Sequence, residues 1–287
     1  MAFLRNRRSF TGLKACFVIL SFAFAAEKGM LLRMPEPNET LGAVVVTGGS
    51  RGIGSAIANL AAERGFAVAV NFANSEAAAH NVVDRIVGSG GRAVAIAGDI
   101  AREQDVVRLF KVAERELGSI TGLVNNAAIT GGFARVDSIR ATAVMEVMAV
   151  NVVGTMLCAR EAVNRMSTKK GGQGGAIVNL SSLAARTGSA GEWVHYAASK
   201  GAINSFTIGL AREVASEGIR VNAVAPGLID TELHAANGAA DRLERLSPTI
   251  PMQRAGRVQE VAEGVLWLLS SAASYTTGAI LEMGGGR

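Results

Sequence analysis

The segment GAVVVTGGSRGIGSAIANLAAERG, residues 42–65, limits what this chain can fold into more than any other stretch. A β-branched run reads as a buried strand, and it passes through Gly48, Gly52 and Gly54 straight into the apolar spacing of an amphipathic helix. Glycine is needed where a chain turns this tightly. Without a Cβ the backbone can also approach a pyrophosphate, and the following helix aims its free N–H groups and positive end at the phosphate charge. A glycine-rich loop alone says little. Between a readable strand and a readable helix it predicts a dinucleotide-binding turn, lined by Gly48, Ser50, Arg51, Gly52, Ile53 and Gly54.

From Leu41 onward, short apolar runs alternate with helical patterns, the signature of βαβ units around a parallel sheet. Strands are predicted at 43–47, 67–71, 93–97, 121–125, 175–180, 219–224 and 279–282. Helices are predicted at 53–64, 76–87, 102–117, 152–166, 196–217 and 258–269. With connections of ordinary length these elements occupy 41–287 and leave no room for a second domain. The predicted fold class is α/β: a single-domain Rossmann fold, a doubly wound seven-stranded parallel sheet with helices on both faces. The glycine-rich stretch 171–175 reads as a surface turn, and there are no internal repeats.

Composition narrows the function classes. A chain of 287 residues, 49% of them hydrophobic, buries a sizeable core. The net charge of +5 looks basic, but residues 1–40 hold six Lys/Arg against three Glu and so carry +3 of it, leaving +2 for the rest. A nucleic-acid partner is therefore not indicated. The two cysteines, Cys16 and Cys158, form no disulfide framework, and three scattered histidines form no metal site.

The first forty residues form an extension with two readings. Arg5, Arg7, Arg8 and Lys14 precede an apolar run at 15–26, as in a secretory signal, and NRRSF resembles a twin-arginine export signal. That run is too short to span a bilayer as a mature helix. The favoured reading places the start at Met30 or Met34, because everything after Pro35 reads as an ordinary cytoplasmic enzyme with no membrane partner. Export to the periplasm is the alternative.

The chemistry is concentrated in HYAASKGA, residues 195–202. Tyr196 and Lys200 stand four apart on one helix face. A phenol of reference pKa about 10 is a poor base at neutral pH, and a nearby ammonium favours its ionised form. Ser182, fourteen residues upstream, follows the apolar strand AIVNL, which puts a hydroxyl at the carboxyl edge of the sheet where ligands of open α/β folds bind. The helix face thus offers a proton donor and acceptor usable near neutral pH, with the Ser182 hydroxyl at the edge where a ligand would sit.

The spacing TGxxxGxG at 47–54, Asp99, NNAA at 125–128, Asn151, the serines 181 and 182, YAASK at 196–200 and PG at 226–227 stand in order. With these marks the chain resembles the short-chain dehydrogenase/reductase family from about Leu41 to its last residues. The NNAA motif usually ends in glycine where this chain has Ala128. The resemblance implies an NAD(P)-dependent enzyme in which Tyr196 exchanges a proton with the carbonyl oxygen, Lys200 lowers the tyrosine pKa and binds the nicotinamide ribose, Ser182 orients the carbonyl, and Asn151 holds a water. It implies that Asp99 and Ile100 cap the adenine, that Asn125 and Ala127 pass beneath the ribose, and that Pro226, Gly227, Ile229 and Thr231 bracket the nicotinamide, with capping of the following helix as the alternative for Thr231. Ser181 is given a backbone-capping role, His195 a packing or pocket-lining one, and Trp193 and Trp267 packing roles, with Trp193 close enough to Tyr196 to touch a substrate. The stretch 232–254 falls where the family has its mobile substrate lid, and its mixed charge and helical spacing fit a solvated helix just as well.

The carboxyl half looks like the bacterial branch that includes 3-oxoacyl-carrier-protein reductases and glucose 1-dehydrogenases. A dinucleotide-sensing protein without catalysis is the main alternative, though such a protein usually lacks the Tyr or the Lys. An epimerase or dehydratase of the extended branch would need a longer carboxyl-terminal substrate domain. Asn71, with no carboxylate between it and Glu76, and the permanently charged Arg51 predict NADP(H) in preference to NAD(H), with Ser50 and Asn71 adding neutral bonds. Small and apolar residues on several faces of 152–166 and 196–217, among them Ala197, Ala198, Gly201, Ala202 and Gly209, predict a homotetramer, as in most of the family.

Overall fold

The computed structural model describes residues 41–231 and 242–287. The predicted reading of the extension and the first ten residues after Thr231 lie outside them. In chain order the elements are β1 (Ala43–Val46), α1 (Gly52–Glu63), β2 (Ala67–Phe72), α2 (Glu76–Gly88), β3 (Ala93–Ala97), α3 (Glu103–Leu117), β4 (Ile120–Asn125) and α4 (Ala141–Met148). A π-helical turn, Ala149–Gly154, leads from α4 into α5 (Thr155–Met166). Then come β5 (Gly175–Leu180), α6 (Ala184–Thr187), α7 (Val194–Val214), β6 (Ile219–Pro226), α8 (Arg242–Leu246), α9 (Val258–Leu269) and β7 (Ile280–Met283).

All seven strands are parallel, in the order β3-β2-β1-β4-β5-β6-β7. The strands read as continuous apolar runs because helices cover both faces. Alternate residues serve opposite cores: Val44 and Val46 pack with Ile57, Val82 and Val265, while Ala43 and Val45 pack with Leu109, Ala159 and Val214. Cys158 belongs to the second core, where burial pushes its thiol up to about 12 and keeps it inert.

The largest departure from the sequence reading is at the predicted helix 152–166. The helical run begins at Ala141 and absorbs Asn151 and Gly154, both poor helix formers, in the π-helical turn. The predicted helix 196–217 starts two residues earlier and tightens into a 3-10 turn at Ala215–Glu217, closed by Gly218 at φ 76°. The chain winds outward on one side from β1 to β3 and on the other from β4 to β7, so direction reverses between β1 and β4. The crevice at the carboxyl ends of those strands is where such a sheet binds ligands.

Candidate active site

The glycine loop closes on itself as well as on a ligand. A Cβ on Gly54 would lie 2.3 Å from the Gly48 carbonyl oxygen, so glycine there is demanded by the loop's own backbone. Gly48 and Gly52 have φ of 62° and 53°, and a Cβ on Gly52 would find only the Thr231 methyl, at 3.8 Å, leaving its outer side open. The loop is tied to the end of β4: Asn126 Nδ2 donates to the Thr47 and Gly48 carbonyls at 2.9 and 3.1 Å. Thr47 Oγ1 in turn accepts the N–H groups of Asn126 and Ala127.

A cleft of about 990 Å³ opens from this loop along the carboxyl edge of the sheet. Gly48, Ser50, Arg51, Gly52, Ile53, Gly54, Asn71, Asp99, Ile100, Ala127, Pro226, Gly227, Ile229 and Thr231 all line it, together with Ser182, Tyr196 and Lys200. One loop of glycines, one acidic edge at Asp99 and one helix face at Tyr196 thus share a single continuous groove, as a dinucleotide requires.

Three predicted residues have duties the sequence did not suggest. Asn125 stands behind the cleft, 4% exposed, donating from Nδ2 to Asn179 Oδ1 at 2.9 Å, and Asn126 is the asparagine that lines it. Alternation along β4 turns neighbouring side chains to opposite faces, which decides between the two. Asn71 lines the cleft, but its amide is committed: Nδ2 donates to the Ile96 and Gly98 carbonyls and Oδ1 accepts the Gly48 N–H. It has no donor left for a phosphate. Asn151 likewise spends its side chain on the protein, accepting from the Ile129 N–H and donating to the Ile129 carbonyl and Ser199 Oγ, each at 2.9–3.0 Å. It braces the loop after β4 against α7.

At the other end of the cleft β5 and α7 are stitched together. Lys200 Nζ donates to the Leu180 carbonyl at 2.6 Å. Ser181 Oγ donates to the Asn204 side chain at 2.6 Å and lies 3.3 Å from the Lys200 carbonyl, so it is committed to α7, while Ser182 beside it lines the cleft. Ser182 Oγ accepts the Ala184 N–H at 3.1 Å and shares a hydrogen bond with the Tyr196 phenol. His195 packs away from the cleft. It is 6% exposed and presses Nε2 against the site of Gly131, where a Cβ would lie 2.7 Å away. Trp193 is buried as expected, whereas Trp267 is 42% exposed on α9 and is not a core residue.

The electrostatics reverse one expectation. Burial pushes the Tyr196 phenol up to about 12, and the Ser182 hydrogen bond opposes this only in part. Burial also brings the Lys200 ammonium down to about 8. The ammonium lies 5.6 Å from the phenol ring centroid and is anchored to a carbonyl, so it does not by itself depress the phenol. In the chain alone Tyr196 is therefore a firmly protonated group, suited to donating a proton.

Comparison with known proteins decides the family. The family model described as enoyl-(acyl carrier protein) reductase matches residues 48–287. The chain belongs to the short-chain dehydrogenase/reductase family. Among curated SDR relatives, the uncharacterized oxidoreductase YgfF of Escherichia coli K12 is 49% identical over 85% of this chain and 98% of its own. Glucose 1-dehydrogenase 2 of Bacillus subtilis is 36% identical over 84% and 93% respectively. A solved dehydrogenase/reductase from Sinorhizobium meliloti superposes with a TM-score of 0.80 at 34% identity, covering 87% of this chain and 96% of that one. SDR enzymes use NAD(P), and this chain is an oxidoreductase of that kind. What sequence reasoning about this SDR missed is Asn126, present in the NNAA motif but passed over for its neighbour, and Arg242, which no motif announces.

Proposed function

We propose that this SDR reduces a carbonyl compound, or oxidises the corresponding secondary alcohol, with NADP(H) as the preferred cofactor and NAD(H) as a poorer one. The observation that carries this reading is the meeting of Ser182, Tyr196 and Lys200 at one end of a cleft whose other end is the glycine loop. The cradle suits the group, because Gly52 presents an open, Cβ-free surface beside the amino terminus of α1. The bound nicotinamide supplies or accepts hydride at the substrate carbon. This chain's residues do the rest.

Ser182, one of whose two oxygen lone pairs accepts the Ala184 N–H, turns its hydrogen from the Tyr196 phenol to the carbonyl oxygen. Tyr196 gives its phenolic proton to that oxygen as charge develops on it, and takes a proton back in the alcohol direction. Lys200, anchored on the Leu180 carbonyl, holds α7 to β5 and reaches the ribose side of the cleft. Asn151 keeps the loop at Ile129 in register with α7.

Cofactor preference rests on Arg51, at the mouth of the glycine loop. It is exposed, its side chain makes no hydrogen bond or ion pair among the described residues, and its planar fork suits the oxygens of a 2′-phosphate. Ser50 adds a neutral donor, and Asn71 serves by shaping the loop. A homotetramer is supported by the apolar side chains exposed along α4, the π-helical turn and α5, namely Met145, Met148, Val153 and Met156, and by Gly201 and Gly209 on α7, where a Cβ would meet nothing. We place the enzyme in the cytoplasm, acting on a small-molecule substrate with no nucleic-acid or membrane partner. A panel of ketones, β-ketoacyl thioesters and aldoses, assayed by NADPH oxidation or NADP reduction, tests the reading. Turnover of none of these classes by protein that binds NADPH overturns it in favour of a nucleotide sensor.

A further inference from the structure

Beside the catalytic phenol stands an indole that cannot easily move. Trp193 is 5% exposed and immediately precedes α7. Its ring stacks on Phe133 with centroids 4.4 Å apart, meets the Tyr196 ring edge-on at 6.3 Å, and carries the Arg242 guanidinium carbon 4.7 Å from its centroid. Arg242 comes from α8, fifty residues along the chain, and its Nη1 donates to Glu192 Oε1 at 2.5 Å.

The backbone under the indole is just as fixed. The N–H groups of Glu192 and Trp193 both donate to the carbonyl of Ser189, a residue held at φ 47°. The Ala134 N–H donates to the Glu192 carbonyl at 2.9 Å, in a bridge that joins Ala134 to Trp193. Glu192, Trp193, Arg242 and Leu246 line the same cleft as Ser182 and Tyr196.

We propose that Trp193 is the specificity-determining wall of the substrate site and that Glu192 and Arg242 are positioning residues that clamp it. The substrates are then carbonyl compounds with one small, unbranched substituent on the reacting carbon. A carbonyl oxygen shared by Ser182 and Tyr196 sets its carbon against the phenol, and the indole touching that phenol closes one side. Flexible walls give way to bulk, but this one is held on its ring by Phe133 and Arg242 and along the Glu192–Trp193 backbone by three hydrogen bonds. Among the described residues Arg242 Nε has no acceptor, and the guanidinium is held there by Glu192 and the indole. Loss of the Glu192 charge therefore loosens the wall without touching it.

The inference rests on the carbonyl-reductase reading. Its test is the ratio of kcat/KM for ethyl acetoacetate, a methyl ketone, to that for ethyl isobutyrylacetate, the isopropyl homologue, with NADPH consumption as the readout. The wild type favours the methyl ketone. Trp193→Ala lowers that ratio by at least about tenfold, the scale on which a pocket reads an extra methylene. Glu192→Gln lowers it in the same direction by a smaller factor, and decides the matter alone if Trp193→Ala does not fold. Retained turnover with an unchanged ratio in the folded variants overturns the wall and leaves the reductase reading standing. Absence of wild-type turnover of both esters and of the wider panel overturns the reductase reading, and the wall with it.

Discussion

The two ends of the cleft are built on different principles. At the nucleotide end the shape is made by backbone: a Cβ on Gly54 would lie 2.3 Å from the Gly48 carbonyl oxygen, and Asn126 and Thr47 lock the loop to β4 through main-chain partners. At the substrate end the shape is made by side chains from distant segments, with Phe133, Trp193 and Arg242 packed on one another. Backbone geometry tolerates almost no substitution and serves a ligand that never changes. Side-chain walls can be rebuilt one residue at a time, which lets one scaffold carry many substrate specificities.

The difference can be tested from its strong end downward. Gly54→Val puts a branched side chain into the Gly48 carbonyl. It should abolish nucleotide binding, read by NADPH fluorescence titration, and cost about 1–3 kcal/mol of stability in thermal unfolding. Retained NADPH binding would mean that the loop is as adaptable as the substrate end. Arg51→Ala is expected to weaken NADPH by roughly ten- to a hundredfold while leaving NADH nearly unchanged. Equal losses for both cofactors would show that Arg51 does not read the phosphate.

A pH profile addresses the residue where the two ends meet. Alcohol oxidation needs the phenolate, and a phenol pushed up to about 12 makes that form roughly tenfold more abundant with each pH unit between 7 and 10. Oxidation kcat/KM should therefore rise with a slope near one across that range, whereas carbonyl reduction, which uses the neutral phenol, shows no such rise. A plateau in oxidation below about pH 9 would mean that bound cofactor and Lys200 together pull the phenol down. At the weak end, the Arg64–Glu263 pair between α1 and α9 is exposed on both sides, and Arg64→Ala should change stability by less than about 0.5 kcal/mol by the same unfolding measurement.

The same contrast explains what could be read from the amino-acid order. The glycine spacing, the seven strands and the Tyr196–Lys200 face are local patterns, so they are visible one segment at a time. The choice between Asn125 and Asn126 needed the register of β4, which a motif of two adjacent asparagines leaves open. The full commitment of Asn71 to Ile96 and Gly98 depends on the pairing of β2 with β3. The upward shift of Tyr196 depends on burial and on a Lys200 ammonium drawn off to Leu180, where the sequence shows only that the two side chains share a helix face. Arg242 was invisible because its partners, Glu192 and Trp193, are fifty residues away with no periodic signal between.

The central claim is that Tyr196 is the proton donor and acceptor of a nucleotide-dependent carbonyl/alcohol oxidoreductase. Its most direct test is to measure NADPH affinity and turnover together in Tyr196→Phe, using whichever substrate of the panel the wild type turns over best. With the ring kept and only the hydroxyl removed, NADPH affinity should stay within about threefold of wild type while turnover falls by at least about 10²-fold. A folded variant that keeps more than about a tenth of wild-type turnover would contradict the claim.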